Sequence, residues 1–96
     1  MNKKEIIEAL RDYKKKSAGE YGIIDIGIFG SVAHGEADKE SDVDVVVHIL
    51  KPDLFMLAGI KSDLEERLHR PVDIISYREN MNLFLKKRID EEAVYA

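Results

Sequence analysis

Two aspartates separated by a single residue, Asp42 and Asp44, are the first candidates for chemistry in this chain. They begin an apolar, β-branched segment that predicts a strand, and residues i and i+2 of a strand point to the same face. At a rise of about 3.3 Å per residue, their Cα atoms would be roughly 6.5–7 Å apart. Both carboxylates could therefore converge on the same one or two cations.

A glycine–serine pair, Gly30 and Ser31, ends another predicted buried strand. Because Gly30 has no side chain, backbone amides at this turn can approach a phosphate closely. A third aspartate, Asp73, lies in the next predicted strand, beyond a helix. That β-α-β crossover makes the strands of Asp42 and Asp73 parallel, so that they start at the same end of the sheet. If the strand before Gly30 is antiparallel to them, all five residues meet at that end.

Magnesium is the cation that such a site would suit, because Mg²⁺ takes oxygen ligands and usually shares them with substrate phosphates. Two ions about 3.5–4 Å apart could activate an attacking oxygen and stabilise a leaving pyrophosphate. The residues taken singly allow simpler interpretations. Asp42 and Asp44 could cap a turn or lie at an exposed strand edge, and Asp73 could be a solvated residue after proline.

The elements that must position these residues alternate between helix and strand patterns. Their order is α-β-(short α)-β-α-β-α, which predicts a small α/β (α+β) fold with helices on a three-stranded mixed sheet. Asn2 and Glu5 predict a capping box, and Asp53 predicts an N-cap. The predicted inner stripe of the middle helix is Leu54, Leu57, Ala58, Lys61, Leu64 and Leu68. The predicted ranges are helix 2–16, a turn bracketed by Gly19 and Gly22, strand 23–29, loop 30–41 with one helical turn, strand 42–50, helix 53–69, strand 72–76 and helix 79–92.

The composition bounds the function of the chain. Its 96 residues predict a single domain, and a net charge of -4 argues against a nucleic-acid binder that relies on a broad basic face. Cysteine is absent, which excludes a disulfide scaffold and thiolate chemistry. No apolar run approaches the roughly 20 residues of a membrane-spanning helix, and the charged beginning of the chain is unlike a signal peptide, so we expect a cytoplasmic protein.

The spacing of these residues resembles a known family. Gly30-Ser31, ten further residues and then Asp42-Val43-Asp44 resemble the Gly-Ser-x₁₀-Asp-x-Asp signature of the DNA polymerase beta-type nucleotidyltransferases. The chain's size, its Pro-Val-Asp at 71–73 and its closing Glu-Glu-Ala-Val-Tyr resemble the minimal nucleotidyltransferase branch, whose members are commonly the antitoxin partners of HEPN-domain toxins. The chain departs at His34, where the family often has an arginine; His34 would be largely neutral at pH 7.

The resemblance implies a role for each residue of the signature. Gly30 and Ser31 would bind the nucleotide phosphates, Asp42 and Asp44 would hold both magnesium ions, and Asp73 would bind the catalytic ion and help to activate the acceptor hydroxyl. The implied reaction is transfer of AMP from ATP to a tyrosine of the cognate HEPN toxin. So short a chain predicts no second domain to hold an acceptor, so the acceptor should belong to a partner or be very small.

Two other functions stay open at this stage: an antitoxin that masks its toxin by contact alone, and transfer to a small molecule. Other side chains also allow two interpretations. We expect His48, on the face of Asp42 and Asp44, to be packed or partly exposed rather than a ligand. Phe55, Met56, Ile60, Met81 and Phe84 do not fit one inward stripe, so they indicate either an ordinary core with some exposed apolar atoms or a partner-binding surface.

Overall fold

The computed structural model describes residues 1–35 and 42–96, so residues 36–41 of the predicted loop lie outside the described part of the chain. The described residues form eight elements, in the order α1 (Lys3–Tyr21), β1 (Ile23–Phe29), α2 (Gly30–Ala33), β2 (Val43–Ile49), α3 (Leu54–Leu68), β3 (Val72–Ser76), α4 (Leu83–Glu92) and β4 (Val94–Tyr95). The predicted order and the single helical turn after Gly30 are confirmed. None of the described helices is both long enough and apolar enough to span a membrane.

The sheet has the strand order β3-β2-β1-β4. Strand β2 runs antiparallel to β1 and parallel to β3, as the crossover argument predicts. The prediction of three strands is wrong, because Val94 and Tyr95 add a fourth strand antiparallel to β1. A strand of two residues is too short to show an alternating pattern in the sequence. Its partner Gly27 leaves room for it, since a Cβ on Gly27 would lie 2.7 Å from the carbonyl oxygen of Val94.

Helices cover both faces of the sheet. On one face, α1 and α3 bury apolar side chains against the odd-numbered residues of β2, which are Val43, Val45, Val47 and Ile49. On the other face, Ile89 of α4 packs against Phe29 and Val46. Val46 shares that second face with Asp44 and His48, as the strand alternation predicts. Helix α4 therefore covers the face on which Asp44 lies.

The helix termini confirm some predictions and correct others. Asn2 and Glu5 form the capping box, with reciprocal bonds of 3.0 and 2.9 Å, and Asp53 accepts a hydrogen bond from the Met56 amide at 2.9 Å. Helix α1 continues past Lys16 to Tyr21, so Gly19 lies inside the helix. The turn comes at Gly22 alone, whose φ of +65° is the left-handed conformation that ends many helices.

The predicted inner stripe of α3 is partly wrong. Leu64 and Leu68 are buried, but the third fully buried side chain is Ile60 rather than Lys61. Ile60 and Lys61 each fit a helical stripe with Leu64 and Leu68. Ile60 occupies the core because burying the ammonium group of Lys61 would be costly. Lys61 instead donates a hydrogen bond to the carbonyl of Val72 at 2.8 Å. Leu54 and Ala58 are exposed. Helix α4 begins at Leu83 rather than at Glu79 because Asn82 caps it.

Candidate active site

The Gly30 turn connects β1 to α2 and packs directly against Asp44. Gly30 is buried and has a φ of +71°, a backbone conformation that side chains disfavour. A Cβ placed on Gly30 would collide with Oδ2 of Asp44 and would lie 3.1 Å from Nη2 of Arg88. Only glycine leaves space for both groups at this turn.

The predicted carboxylates lie where the topology places them. Asp44 and Asp73 are direct partners across the parallel β2–β3 pair, and Phe29, just before the turn, is the partner of Asp44 in β1. Asp42 immediately precedes β2. Asp44 is half-buried, whereas Asp42 and Asp73 are exposed. The structure thus brings Asp44, Asp73 and the Gly30 turn together, with Asp42 two residues before Asp44.

The electrostatics of Asp44 are consistent with a cluster of like charges. Burial raises the pKa of the Asp44 carboxyl above its usual value, and the negative charges of Asp73 and, to a smaller extent, Asp42 raise it further. The positive charge of Arg88 opposes this rise. Asp44 is therefore a carboxylate that a cation would stabilise.

The donor set fits magnesium bound together with a nucleotide. In residues 1–35 and 42–96, no three or more histidine or carboxylate side chains form a ready-made metal centre. Magnesium does not require one, because it is commonly bound by one or two carboxylates together with substrate phosphates. Asp44 and Asp73, which are adjacent in the sheet and lie beside the Gly30 turn, supply the two carboxylates of such a site.

Ser31 is the second residue of the short helix α2, directly after Gly30. Its side chain is half-buried, whereas Val32 and Ala33 after it are buried. The turn is closed by the His34 amide, which donates to the carbonyl of Gly30 at 3.2 Å. This packing fixes the backbone of the turn, so its amides are held in place rather than ordered by a ligand.

Arg88 is a residue at this site that the sequence analysis missed. Its guanidinium carbon lies 5.7 Å from the centre of the Phe29 ring, and its Nε donates to Oε2 of Glu92 at 3.2 Å. The other oxygen of Glu92 lies 3.3 Å from Nε2 of His34. The i,i+4 spacing of Arg88 and Glu92 was visible in the sequence, but nothing in it placed the pair over the Gly30 turn.

His48 is a packed histidine, as expected. Its ring stacks on Tyr77 with a centroid distance of 4.7 Å, and its Nε2 lies 2.8 Å from the hydroxyl of Tyr95. It lies four residues beyond Asp44 along β2. These contacts account for His48 as part of the packing of the sheet's second face.

The apolar residues without a common inward stripe separate into two groups. Ile60 is buried and Met56 and Met81 are half-buried, but Phe55 is 90% exposed and Phe84 is 87% exposed. Each has an exposed leucine beside it, Leu54 or Leu83. Exposed aromatic side chains of this size are more than an ordinary core requires, so a partner-binding surface stays a prediction for these residues.

Comparison with known proteins supports this picture. The family model "Polymerase beta, Nucleotidyltransferase" matches residues 4–95. The protein adenylyltransferase MntA of Thermococcus cleftensis is 33% identical over 92 residues, which cover 95% of this chain and 92% of that protein. A solved structure provisionally identified as a minimal nucleotidyltransferase is 32% identical, with a TM-score of 0.77, and the match covers 98% of this chain and 95% of that one.

The same fold occurs in a more distant solved complex, that of a tri-AMPylated Shewanella oneidensis HEPN toxin with an MNT antitoxin. The matching chain is 22% identical and has a TM-score of 0.62, and the match covers 98% of this chain and 67% of that one. At this identity the likeness shows the fold alone.

Proposed function

The chain belongs to the polymerase beta nucleotidyltransferase family, in its minimal branch, and on that premise we propose that it transfers AMP from ATP to a HEPN toxin and so acts as an antitoxin. One observation carries the proposal: Asp44, Asp73 and the glycine turn of Gly30 meet at one end of the sheet. A protein that only bound its toxin would have no need for two adjacent carboxylates beside a glycine turn.

The reaction makes one bond and breaks one. An acceptor hydroxyl oxygen bonds to the α-phosphorus of ATP, and the bond from that phosphorus to the bridging oxygen of the β-phosphate breaks. Pyrophosphate leaves with the electron pair, and the hydroxyl proton passes to a base or to water. The products are the adenylylated acceptor and pyrophosphate, so no further reactant is needed.

Each residue of the signature has a proposed role. The amides of Gly30 and Ser31 would bind the phosphates, because a glycine turn lets the backbone approach an anion closely. Asp42, Asp44 and Asp73 would hold magnesium, whose positive charge would stabilise the charge that develops on the phosphates and lower the pKa of the acceptor hydroxyl. Asp73 is exposed. An acceptor can therefore reach it from the solvent.

The proposed acceptor is a tyrosine of the partner toxin. A tyrosine hydroxyl has an ordinary pKa near 10 and is a poor nucleophile unless a metal or a base lies beside it. One relative supports a protein acceptor, because it is named a protein adenylyltransferase. A solved complex with the same fold contains an MNT antitoxin and a tri-AMPylated HEPN toxin. Both describe the class of chemistry that the carboxylate pair and the glycine turn of this chain could perform.

The test is adenylylation of the cognate HEPN toxin, followed by mass spectrometry after incubation with this protein, ATP and Mg²⁺. We expect the toxin to gain the mass of one or more adenylyl groups. Asp73→Asn should still bind the toxin but should transfer no AMP, because activation of the acceptor hydroxyl is lost. Asp12→Asn, a surface aspartate of α1 whose ion pairs with Lys16 and Arg67 are exposed, is the matched control and should behave like the parent.

Rescue of toxin-expressing cells separates transfer from masking. The transferase hypothesis expects Asp73→Asn to fail to rescue while Asp12→Asn rescues fully. Full rescue by Asp73→Asn, with the toxin mass unchanged, would support an antitoxin that acts by contact and would overturn the enzymatic proposal. No change in toxin mass combined with adenylylation of a small alcohol would support the third class, a small-molecule transferase.

A further inference from the structure

Arg88 presents a cation at the turn where the proposed function places the phosphates. It lies on α4, whose neighbouring residue Ile89 is buried against Phe29 and Val46. That contact fixes the helix on the face of the sheet that carries Asp44. The terminal nitrogen Nη2 of Arg88 would lie 3.1 Å from a Cβ on Gly30. The guanidinium group therefore lies directly beside the turn.

The guanidinium is held in place by contacts that leave its outer edge open. Its Nε donates to Glu92, and its plane lies near the Phe29 ring. Arginine has five N–H donors, and within residues 1–35 and 42–96 only the one on Nε has a hydrogen-bond acceptor. The other four belong to the two terminal nitrogens. Their planar arrangement matches two oxygens of a phosphate.

The charge of the site also calls for a cation in addition to magnesium. Three aspartates, Asp42, Asp44 and Asp73, and the polyphosphate of a nucleotide are all negative. Arg88 is the cation that opposes the rise in the pKa of Asp44. Its charge is permanent, whereas His34, a basic side chain that also lies near the turn, has its Nε2 directed at Glu92. Arg88 is therefore better suited than His34 to bind phosphate.

We propose that Arg88 binds the β- and γ-phosphates of the nucleotide at the Gly30 turn and that Glu92 is its positioning residue. This inference rests on the proposed function, since it assigns a ligand to the same site. As the bond between the α-phosphorus and the bridging oxygen breaks, the pyrophosphate gains the electron pair and its negative charge grows. Arg88 stabilises that charge, because a preorganised donor is most effective where charge develops.

The test compares the affinities of Mg·ATP and AMP by calorimetry. Arg88→Gln should weaken Mg·ATP binding by about 10- to 100-fold, as expected for lost hydrogen bonds to a charged group. AMP, which lacks the β- and γ-phosphates, should bind within about two-fold of the parent. Lys87→Gln is the matched control: Lys87 is the adjacent cation on α4, its side chain is 76% exposed, and its loss should leave both affinities unchanged.

Two further variants keep the proposal falsifiable. Arg88→Lys retains the charge but not the planar pair of donors, so we expect an intermediate loss of Mg·ATP affinity. If Arg88→Gln fails to fold, Arg88→Lys decides whether Arg88 binds the phosphates. Glu92→Gln should weaken Mg·ATP binding in the parent but have no effect in the Arg88→Gln background, because a positioning residue acts only through the group it positions.

Equal losses for Mg·ATP and AMP in both Arg88 variants would overturn the proposal, as would parental Mg·ATP affinity. If Arg88 were only a counter-ion of Asp44, Arg88→Gln would strengthen the binding of Mg²⁺ and would not weaken that of Mg·ATP, and this result would also overturn the proposal. If the parent protein binds Mg·ATP but modifies no toxin, the proposed function is refuted. The comparison of Mg·ATP and AMP affinities in the Arg88 variants would still decide the role of Arg88. A parent that did not bind Mg·ATP would overturn both.

Discussion

Replacing Gly30 by alanine should damage the candidate site through two separate costs. The first is conformational: Gly30 has a φ of +71°, and an L-residue in the left-handed region costs about 1–2 kcal/mol. The second is steric: the new Cβ would collide with Oδ2 of Asp44, and overpacking of this kind typically costs about 1–3 kcal/mol. Together these costs predict that Gly30→Ala lowers the free energy of unfolding by about 2–5 kcal/mol.

Another glycine isolates the first cost. Gly22 has a φ of +65°, and a Cβ there would meet Leu50 at 3.8 Å, an ordinary van der Waals contact. Gly22→Ala should therefore lose only the conformational part, about 1–2 kcal/mol. The difference between the two alanine variants measures the collision with Asp44.

Urea unfolding followed by circular dichroism gives both free energies, and a Mg·ATP titration gives the functional effect. We expect Gly30→Ala to be the less stable variant and to lose Mg·ATP binding by at least about tenfold, because Asp44 must move away from the turn. Gly22→Ala should bind like the parent. Equal destabilisation of the two variants, with equal Mg·ATP affinity, would refute the contact between Gly30 and Asp44 and with it the proposed phosphate site.

Three further predictions follow from other contacts. Burial and Asp73 raise the pKa of Asp44, so the folded protein binds the carboxyl proton more tightly than the unfolded chain does. The stability that this proton contributes is lost as the pH rises through the folded-state pKa. Asp44→Asn should therefore stabilise the protein at pH 7 but not near pH 3, and a urea midpoint that shows no gain at pH 7 would contradict this prediction. Tyr13→Phe removes a 2.8 Å bond from a buried hydroxyl to Asp63 and should cost about 1.5–3 kcal/mol of unfolding free energy, so a cost below about 0.5 kcal/mol would show that the bond contributes little. Gly27→Ala should detach β4, because its Cβ would meet the β4 backbone within 3.0 Å. Slow hydrogen exchange of the Ala96 backbone amide, which donates to the carbonyl of Ile26 in β1, would show instead that β4 had stayed in place.

The boundaries of β1 and β3 were predictable because the local sequence marks them. Gly22 and Gly30 flank β1, Pro71 precedes β3, and both segments are rich in β-branched residues. The meeting of Asp44, Asp73 and the Gly30 turn was also predictable, since it follows from strand direction and not from side-chain detail. These predictions succeed because each depends on a rule that acts over a few residues or on one crossover.

Arg88 and β4 were not predictable in the same way. The position of Arg88 over Gly30 depends on which face of the sheet α4 covers, and this is decided by packing of Ile89 on Phe29 and Val46. Strand β4 depends on the missing side chain of Gly27, distant along the chain. Local patterns do not contain such contacts, because the contacts exist only once distant segments have assembled.

The late position of α4 and β4 in the chain has a consequence for biosynthesis. Proteins emerge from the ribosome from the N-terminus at about 5–20 residues per second, and early segments can begin to assemble first. Helices α1 and α3 with strands β1, β2 and β3 contain nearly all of the larger apolar cluster, so they can begin to collapse before α4 emerges from the ribosome. At that moment the three aspartates are present but Arg88 is not. The nascent protein would therefore acquire its main core before it acquires a complete site, and a translation product that stopped before α4 would be folded in part but inactive.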